Sequence, residues 1–354
     1  MTRKILFAVL LVILFGFRYG SDLFRGDQCI LKSEFIFHSG DVPFPSSHAS
    51  SLTETNDGLL VAWFGGTAER NPDVGIWISH FHNGGWTKPH EVADGVQYKT
   101  KRYPCWNPVL FNNGNQILLF YKVGPSPSTW WGELMFSLDE GESWTRPSRL
   151  PEDIIGPAKN KPVLLANGNL LCPSSTENDG WRVNMEMTSD NGNTWERTDA
   201  LNSSDTGIIQ PAILRYSGGK IQILCRSTVS VVLSSWSNDN GQTWSKFKSV
   251  GLPNPNAGLD AVSLKDGRQL LVYNHLLQGR NMLNVAVSED GLAWKAAVLL
   301  ENDLPGTEFS YPAVIQTNDG MVHITYTWNR KLIKHVVIDP FKIVTRQIID
   351  LKWP

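Results

Sequence analysis

Ser137-Leu138-Asp139-Glu140-Gly141-Glu142-Ser143-Trp144 decides the fold because it recurs, as Thr188-Ser189-Asp190-Asn191-Gly192-Asn193-Thr194-Trp195 and as Ser237-Asn238-Asp239-Asn240-Gly241-Gln242-Thr243-Trp244. A fourth copy, Ser288-Glu289-Asp290-Gly291-Leu292-Ala293-Trp294, is one residue shorter, and a worn one, Ser79 to Gly85-Trp86, has lost its Asp. The five tryptophans stand 58, 51, 49 and 50 residues apart. A regular period near 50 marks a solenoid or a propeller. Within each copy the Asp can accept backbone N–H bonds of its own turn, the Gly supplies a positive φ, and the Trp packs into the neighbouring blade. The box is therefore read as structural.

The chain between boxes repeats as well. A polar entry leads to an apolar strand, an Asn/Asp-Gly turn and a second strand, as in Ser50 to Phe64 around Asp57-Gly58 and in Pro162 to Cys172 around Asn167-Gly168. Similar hairpins cover Ala212 to Cys225, Ala261 to Tyr273 and Ala313 to Tyr326. Such dipeptides between apolar runs are strong hairpin signals. Six units follow, starting near Ser46, Pro104, Lys161, Gln210, Leu259 and Ser310. The last lacks a box and ends at Ile338, and the isolated strand Ile30 to His38 is expected to complete its sheet and close the ring. The prediction is all-β, one six-bladed β-propeller over residues 28–345.

Composition agrees. Of 354 residues, 41% are hydrophobic, 19% charged and 14 are Trp, which excludes disordered and collagen-like chains. A formal net charge of -2 gives no broad positive field, so no nucleic-acid partner is expected. Ile5 to Phe17 is an apolar run of 13 between Arg3-Lys4 and Arg18, which reads as a signal peptide or an uncleaved signal anchor over residues 1–22. The body is then expected to be secreted, periplasmic or in the secretory-pathway lumen, with membrane anchoring through residues 5–17 as an open option. Cys29, Cys105, Cys172 and Cys225 read as buried thiols, and Asn202-Ser203-Ser204 is an N-glycosylation sequon in a polar loop. No Cys/His cluster has metal-ligand spacing, and neither a phosphate-binding glycine loop nor a Gly-x-Ser-x-Gly elbow occurs. No metal or other cofactor is expected.

Boxes on a six-bladed ring resemble the sialidase (neuraminidase) superfamily with its BNR/Asp-box repeats, over roughly residues 30 to 340. The resemblance implies three arginines clamping a sugar carboxylate, an Asp acid/base on a first-blade loop, and a Tyr nucleophile paired with a Glu. Arg226, Arg280 and Asp73 match two of the arginines and the acid/base. Three positions depart from the pattern. Ser47-His48-Ala49 stands where the first arginine belongs, Gln210 where the Glu belongs, and Phe309 where the Tyr belongs, with Glu308 before it and Tyr311 two residues on. A two-residue shift along a strand displaces a side chain by about 6.6 Å, so Tyr311 is expected to fall short of the nucleophile position.

The expected function is a sialidase-like exo-glycosidase on an acidic-sugar glycan, with Asp73, His48, Tyr311 and Glu308 as catalytic candidates. Substrate-binding candidates are Arg226, Arg280, Glu69, Trp106, Asn107, Lys161, Glu177, Gln210, Asp260, Asn274 and Arg330, all near strand ends that converge on one mouth. Trp63, Trp106, Trp131 and Trp181 are expected to stack on sugar rings there. Two alternatives stay open: a non-catalytic glycan-binding propeller, and a His48-based enzyme acting on a uronate linkage, similar to propeller enzymes that cleave rhamnose-glucuronate bonds.

Overall fold

The computed structural model describes residues 26–354. The leader 1–22 and its apolar run therefore lie outside the described residues. Six antiparallel sheets of four or five strands surround an axis. The innermost strands of blades one to six are Ser46–Thr55, Cys105–Asn112, Val163–Leu164, Ile208–Arg215, Asp260–Ser263 and Phe309–Gln316. Each runs from a mouth face to the opposite face, turns, returns, and is followed by a third strand, which in blades one to five ends at a box, worn in blade one.

The expected ring closure is present: Ile30–Phe35 pairs antiparallel with Leu332–Ile338 and completes blade six. The packed chain continues past residue 345. Arg346–Gln347 pairs with the outer strand of blade five, and Trp353 is buried beside Ala296 and Leu299. All four cysteines are buried free thiols. Among the described residues no helix is long and apolar enough to cross a membrane.

The boxes form the turns the sequence implies. In the third blade, Asp190 Oδ1 accepts the amides of Asn193 and Thr194 at 3.0 and 2.8 Å, and the Thr194 hydroxyl donates to Oδ2 at 2.7 Å. These bonds hold the Asp190 carboxyl below the usual carboxylate range, and the same arrangement pulls Asp139 and Asp239 down to about 2. The boxes also join blades. Gly192, at φ 95°, faces Leu134 of the preceding blade so closely that a Cβ would lie 2.6 Å from it, and Trp195 packs in the core shared by blades two and three. Gly141 meets Leu60, and Gly241 meets Leu171, in the same way one blade away. Only glycine permits both the left-handed backbone and this approach.

Candidate active site at the ring mouth

Four innermost strands carry the same irregularity at the mouth. Register slips after His48, at Trp106, after Ile209 and after Ser310, and the residue that follows takes a positive φ: Ala49 57°, Asn107 31°, Gln210 57°, Tyr311 51°. A bulge re-aims the side chain it carries, and non-glycine residues at positive φ hold strain of roughly 1–3 kcal/mol each. Four strained positions thus ring the axis.

This geometry corrects the reading of blade six. Phe309 lies inside the blade core, while the bulge turns Tyr311 into the mouth. The two-residue shift expected for Tyr311 assumed a regular strand, and the bulge removes that assumption. Tyr311 Oη accepts from Arg226 Nη1 at 3.0 Å and faces Gln210 Nε2 at 3.5 Å. The guanidinium of Arg280 and the ammonium of Lys159 both stand 5.9 Å from its ring centre, and the His48 ring lies 4.2 Å away.

Arg226 is buried with neutral partners throughout: Asn256 Oδ1 at 2.9 Å, the Asn256 carbonyl, Gln210 Oε1 at 3.3 Å and Tyr311. Trp181 covers it at 5.3 Å. Burial lowers its pKa, the largest influence, against the favourable field of Tyr311. The other arginines are neutralised. Glu308 Oε1 accepts from Arg280 at 3.0 Å, Arg330 at 2.9 Å and Ser310 at 2.6 Å, and Glu69 takes the far end of Arg330. Although burial pushes the Glu308 carboxyl up, Arg330, Ser310 and Arg280 together hold it below the usual range. An acceptor whose Oε1 is so occupied anchors the two arginines and Ser310.

His48 is buried, and its Nδ1 has no hydrogen-bond partner. Burial first, then Arg330, Arg280, Lys159 and Arg226, drive its pKa well below 6.5, so the imidazole is neutral. Glu177 is half-buried, and burial raises its carboxyl against the opposing pull of Arg226 and a hydrogen bond from Trp181. Asp73 is exposed and caps its own loop, accepting from Thr67 N at 2.9 Å and Thr67 Oγ1 at 2.6 Å.

Several expected sugar contacts are parts of the frame. Lys161 and Asp260 pair with each other at 2.9 Å across the channel, where Asp260 also accepts from Val314 N, and Lys161 borders a depression at the box-side end. Trp106 is buried, its Nε1 donating to the Gly124 carbonyl at 2.8 Å. Asn107 binds the Ala158 carbonyl at 3.1 Å, and Asn274 binds the carbonyls of Met282 and Phe309 at 2.7 and 2.8 Å. Trp63 is stacked on Phe37 in the core. Asn256 is the residue the sequence reading missed. It sits at φ 56° in Pro253-Asn254-Pro255-Asn256, a turn signal whose left-handed asparagine was legible but whose approach to Arg226 was not.

The family comparison agrees with this architecture. A model of the BNR repeat-like domain matches residues 57–324, so the chain belongs to that family. Among solved structures it is similar to a Hadza microbial sialidase, Hz136, with TM-score 0.75 and 17% identity, covering 88% of this chain and 69% of that one. A Dyadobacter fermentans protein of unknown function gives TM-score 0.72 at 16% identity, covering 88% and 98%. The NanB sialidase of Streptococcus pneumoniae gives 0.72 at 13%, covering 88% and 71%. Identities this low carry the fold alone. A sequence search of curated proteins returns no significant match.

Proposed function

We propose that the mouth binds and hydrolyses a glycan ending in a carboxylate-bearing sugar. The observation that carries this is Arg226, a buried guanidinium whose hydrogen-bond partners are all neutral. Desolvating one ion costs several kcal/mol, and an anionic ligand would offset that cost. Arg226 and Arg280 flank Tyr311, so a carboxylate held between them brings the anomeric carbon to the phenol. Tyr311 Oη attacks that carbon and gives its proton to solvent, Glu177 protonates the departing glycosidic oxygen, and the C–O bond breaks. Water then attacks the anomeric carbon and gives one proton to Glu177, and Tyr311 leaves and is reprotonated; His48 takes no proton, because burial and four neighbouring cations hold it neutral.

One observation favours a second reading, a glycan-binding propeller without turnover: Gln210 supplies an amide beside Tyr311 Oη, where activation of a phenol calls for a carboxylate. The two separate by experiment. Sialosides and glucuronate-containing oligosaccharides are assayed for binding and for product with wild type, Arg226→Ala, Tyr311→Phe and Glu177→Gln. Product from wild type that is lost in Tyr311→Phe, with binding kept, supports hydrolysis. Binding without product in any protein moves the assignment to the lectin reading, and unchanged binding in Arg226→Ala sinks both.

A further inference from the structure

Toward the outside of the ring, a cleft of about 560 Å³ separates the outer part of blade one from blade two. One wall is the strand His90–Ala93 with the loop that follows it, and the other is the antiparallel pair Ile117–Val123 and Trp131–Ser137. Alternation along Ile117–Val123 sends Leu119, Tyr121 and Val123 toward blade one, and Glu133 stands directly opposite Tyr121 on the neighbouring strand. Glu91 and Asp94 line the cleft from the blade-one side. None of the described lining residues is basic.

The negative charge is only partly answered. Arg102 pairs with Glu91 at 3.2 Å. Asp94 Oδ1 accepts the Val96 amide at 3.0 Å and Glu133 Oε1 accepts the Trp131 indole N–H at 2.8 Å, both from neutral donors. Glu133 is only 8% exposed, and burial raises its carboxyl against the Trp131 bond and the more distant Arg149. Tyr121 points to a ligand independently of these charges. It is 1% exposed, yet no described residue donates to or accepts from its hydroxyl, which borders the cleft. Buried polar groups are almost always partnered, so this one calls for a partner from outside the fold.

The lining selects the kind of ligand. Among the described residues no three His, Cys, Asp or Glu side chains gather to hold a metal ion, so the acidic groups are spread rather than focused. At about 30 Å³ per water the cleft corresponds to roughly nineteen waters, space for a chain molecule rather than a bare ion. Val92, Val96, Val123 and Pro147 supply apolar surface of the kind that alkyl stems of ammonium groups cover.

We infer that this cleft binds a linear aliphatic polyamine, with its ammonium groups at Asp94, Glu133 and the Tyr121 hydroxyl and its methylenes along the valines and Pro147. The inference stands apart from the mouth and does not depend on what the mouth binds.

The test is calorimetry on the intact protein with spermidine at about 0.15 M salt, where diffuse surface attraction is largely screened. Saturable binding of one spermidine per chain is expected, with octane-1,8-diol inert and Mg²⁺ unable to displace it at equal concentration. Glu133→Gln and the exposed-site variant Asp94→Asn each weaken it about tenfold, the scale of one charge-assisted contact, and Tyr121→Phe about threefold. Glu289→Gln, which removes the same charge from an exposed box position of blade five, leaves it unchanged. Heat that does not saturate in wild type, displacement by Mg²⁺, or an equal loss in Glu289→Gln overturns the inference. A peptide of neighbouring lysines that binds tighter than spermidine and responds to the same variants also overturns it, and makes the cleft a docking site for a protein's side chains.

Discussion

Arg226 holds buried acceptors as well as offering a charge that only an anion can use. Its removal relieves the desolvation of one ion but leaves the acceptors of Asn256, Gln210 and Tyr311 unpaired, at about 1–3 kcal/mol each. Arg226→Met is therefore expected to melt lower than wild type as well as to lose acidic-glycan affinity, which paired thermal and calorimetric measurements check. His48 gives a second residue-level expectation. With its pKa driven well below 6.5 by burial and four neighbouring cations, its ring proton resonances should not shift between pH 6 and 8. Asn202 gives a third. Its side-chain amide donates to the carbonyls of Trp181, Ser203 and Thr206 and its Oδ1 accepts from Val183, so the sequon asparagine is committed to holding the Trp181 loop. Intact-mass analysis of protein from a eukaryotic secretory host should show no glycan at Asn202. At this scale the sequence was only partly legible. Arg226 and Arg280 stood out as arginines at strand ends, but the choice of Tyr311 over Phe309 depends on a bulge, which leaves no signature beyond Tyr-Pro. The pairing of Lys161 with Asp260 joins residues 99 positions apart and was hidden for the same reason: each looked like a free polar group.

Among the elements, the boxes were the most legible because their chemistry is local, with each carboxylate and its donors lying within four residues. Their packing against the preceding blade was not, since it depends on how sheets stack. Gly192→Ala places a Cβ against Leu134 in a left-handed backbone, and the expected loss is about 2 kcal/mol or more, read from the denaturant midpoint. The closing strand is tied by side chains as well as by its ladder. Glu34 accepts from Trp86 Nε1 at 3.0 Å, pairs with Lys32 at 2.8 Å and faces His335 Nδ1 at 3.3 Å, while His335 Nε2 meets His323 at 3.0 Å. Burial first, then His323, lowers His335 to about 4. The unfolded chain therefore takes up this proton earlier than the folded one as pH falls from about 6.5. The resulting stability, about 3 kcal/mol, is complete above pH 6.5 and is lost progressively toward pH 4. His335→Gln should flatten the melting temperature across that window relative to wild type.

For the whole molecule, the period near 50 residues was enough to give one ring of six blades, because a repeat that cannot bury its own faces must stack. The axis is less open than the word ring suggests. Lys159 reaches from blade three to the Leu259 and Pro312 carbonyls of blades five and six, and burial brings its pKa down to about 7. Lys161 makes a second crossing below it. The opposite sides of the mouth are thus fastened to one another beneath Tyr311. Closure by residues from both chain ends makes the ring an all-or-none structure. A chain beginning at residue 37 would expose the edge of Leu332–Ile338 as an unpaired template. It should elute as oligomers in size-exclusion chromatography and lose the single sharp calorimetric transition of the full chain.

The direction of the closing strand has a spatial outcome. Ile30 lies opposite Ile338, where the third strand of blade six finishes, and Phe35 lies opposite Lys334, nearer the mouth. The chain therefore enters the disc from its back and runs toward its front. A binder seated over Ile30 and Ile338 would therefore leave the arginine-lined opening on the other face free, as a dish held from behind leaves its bowl open.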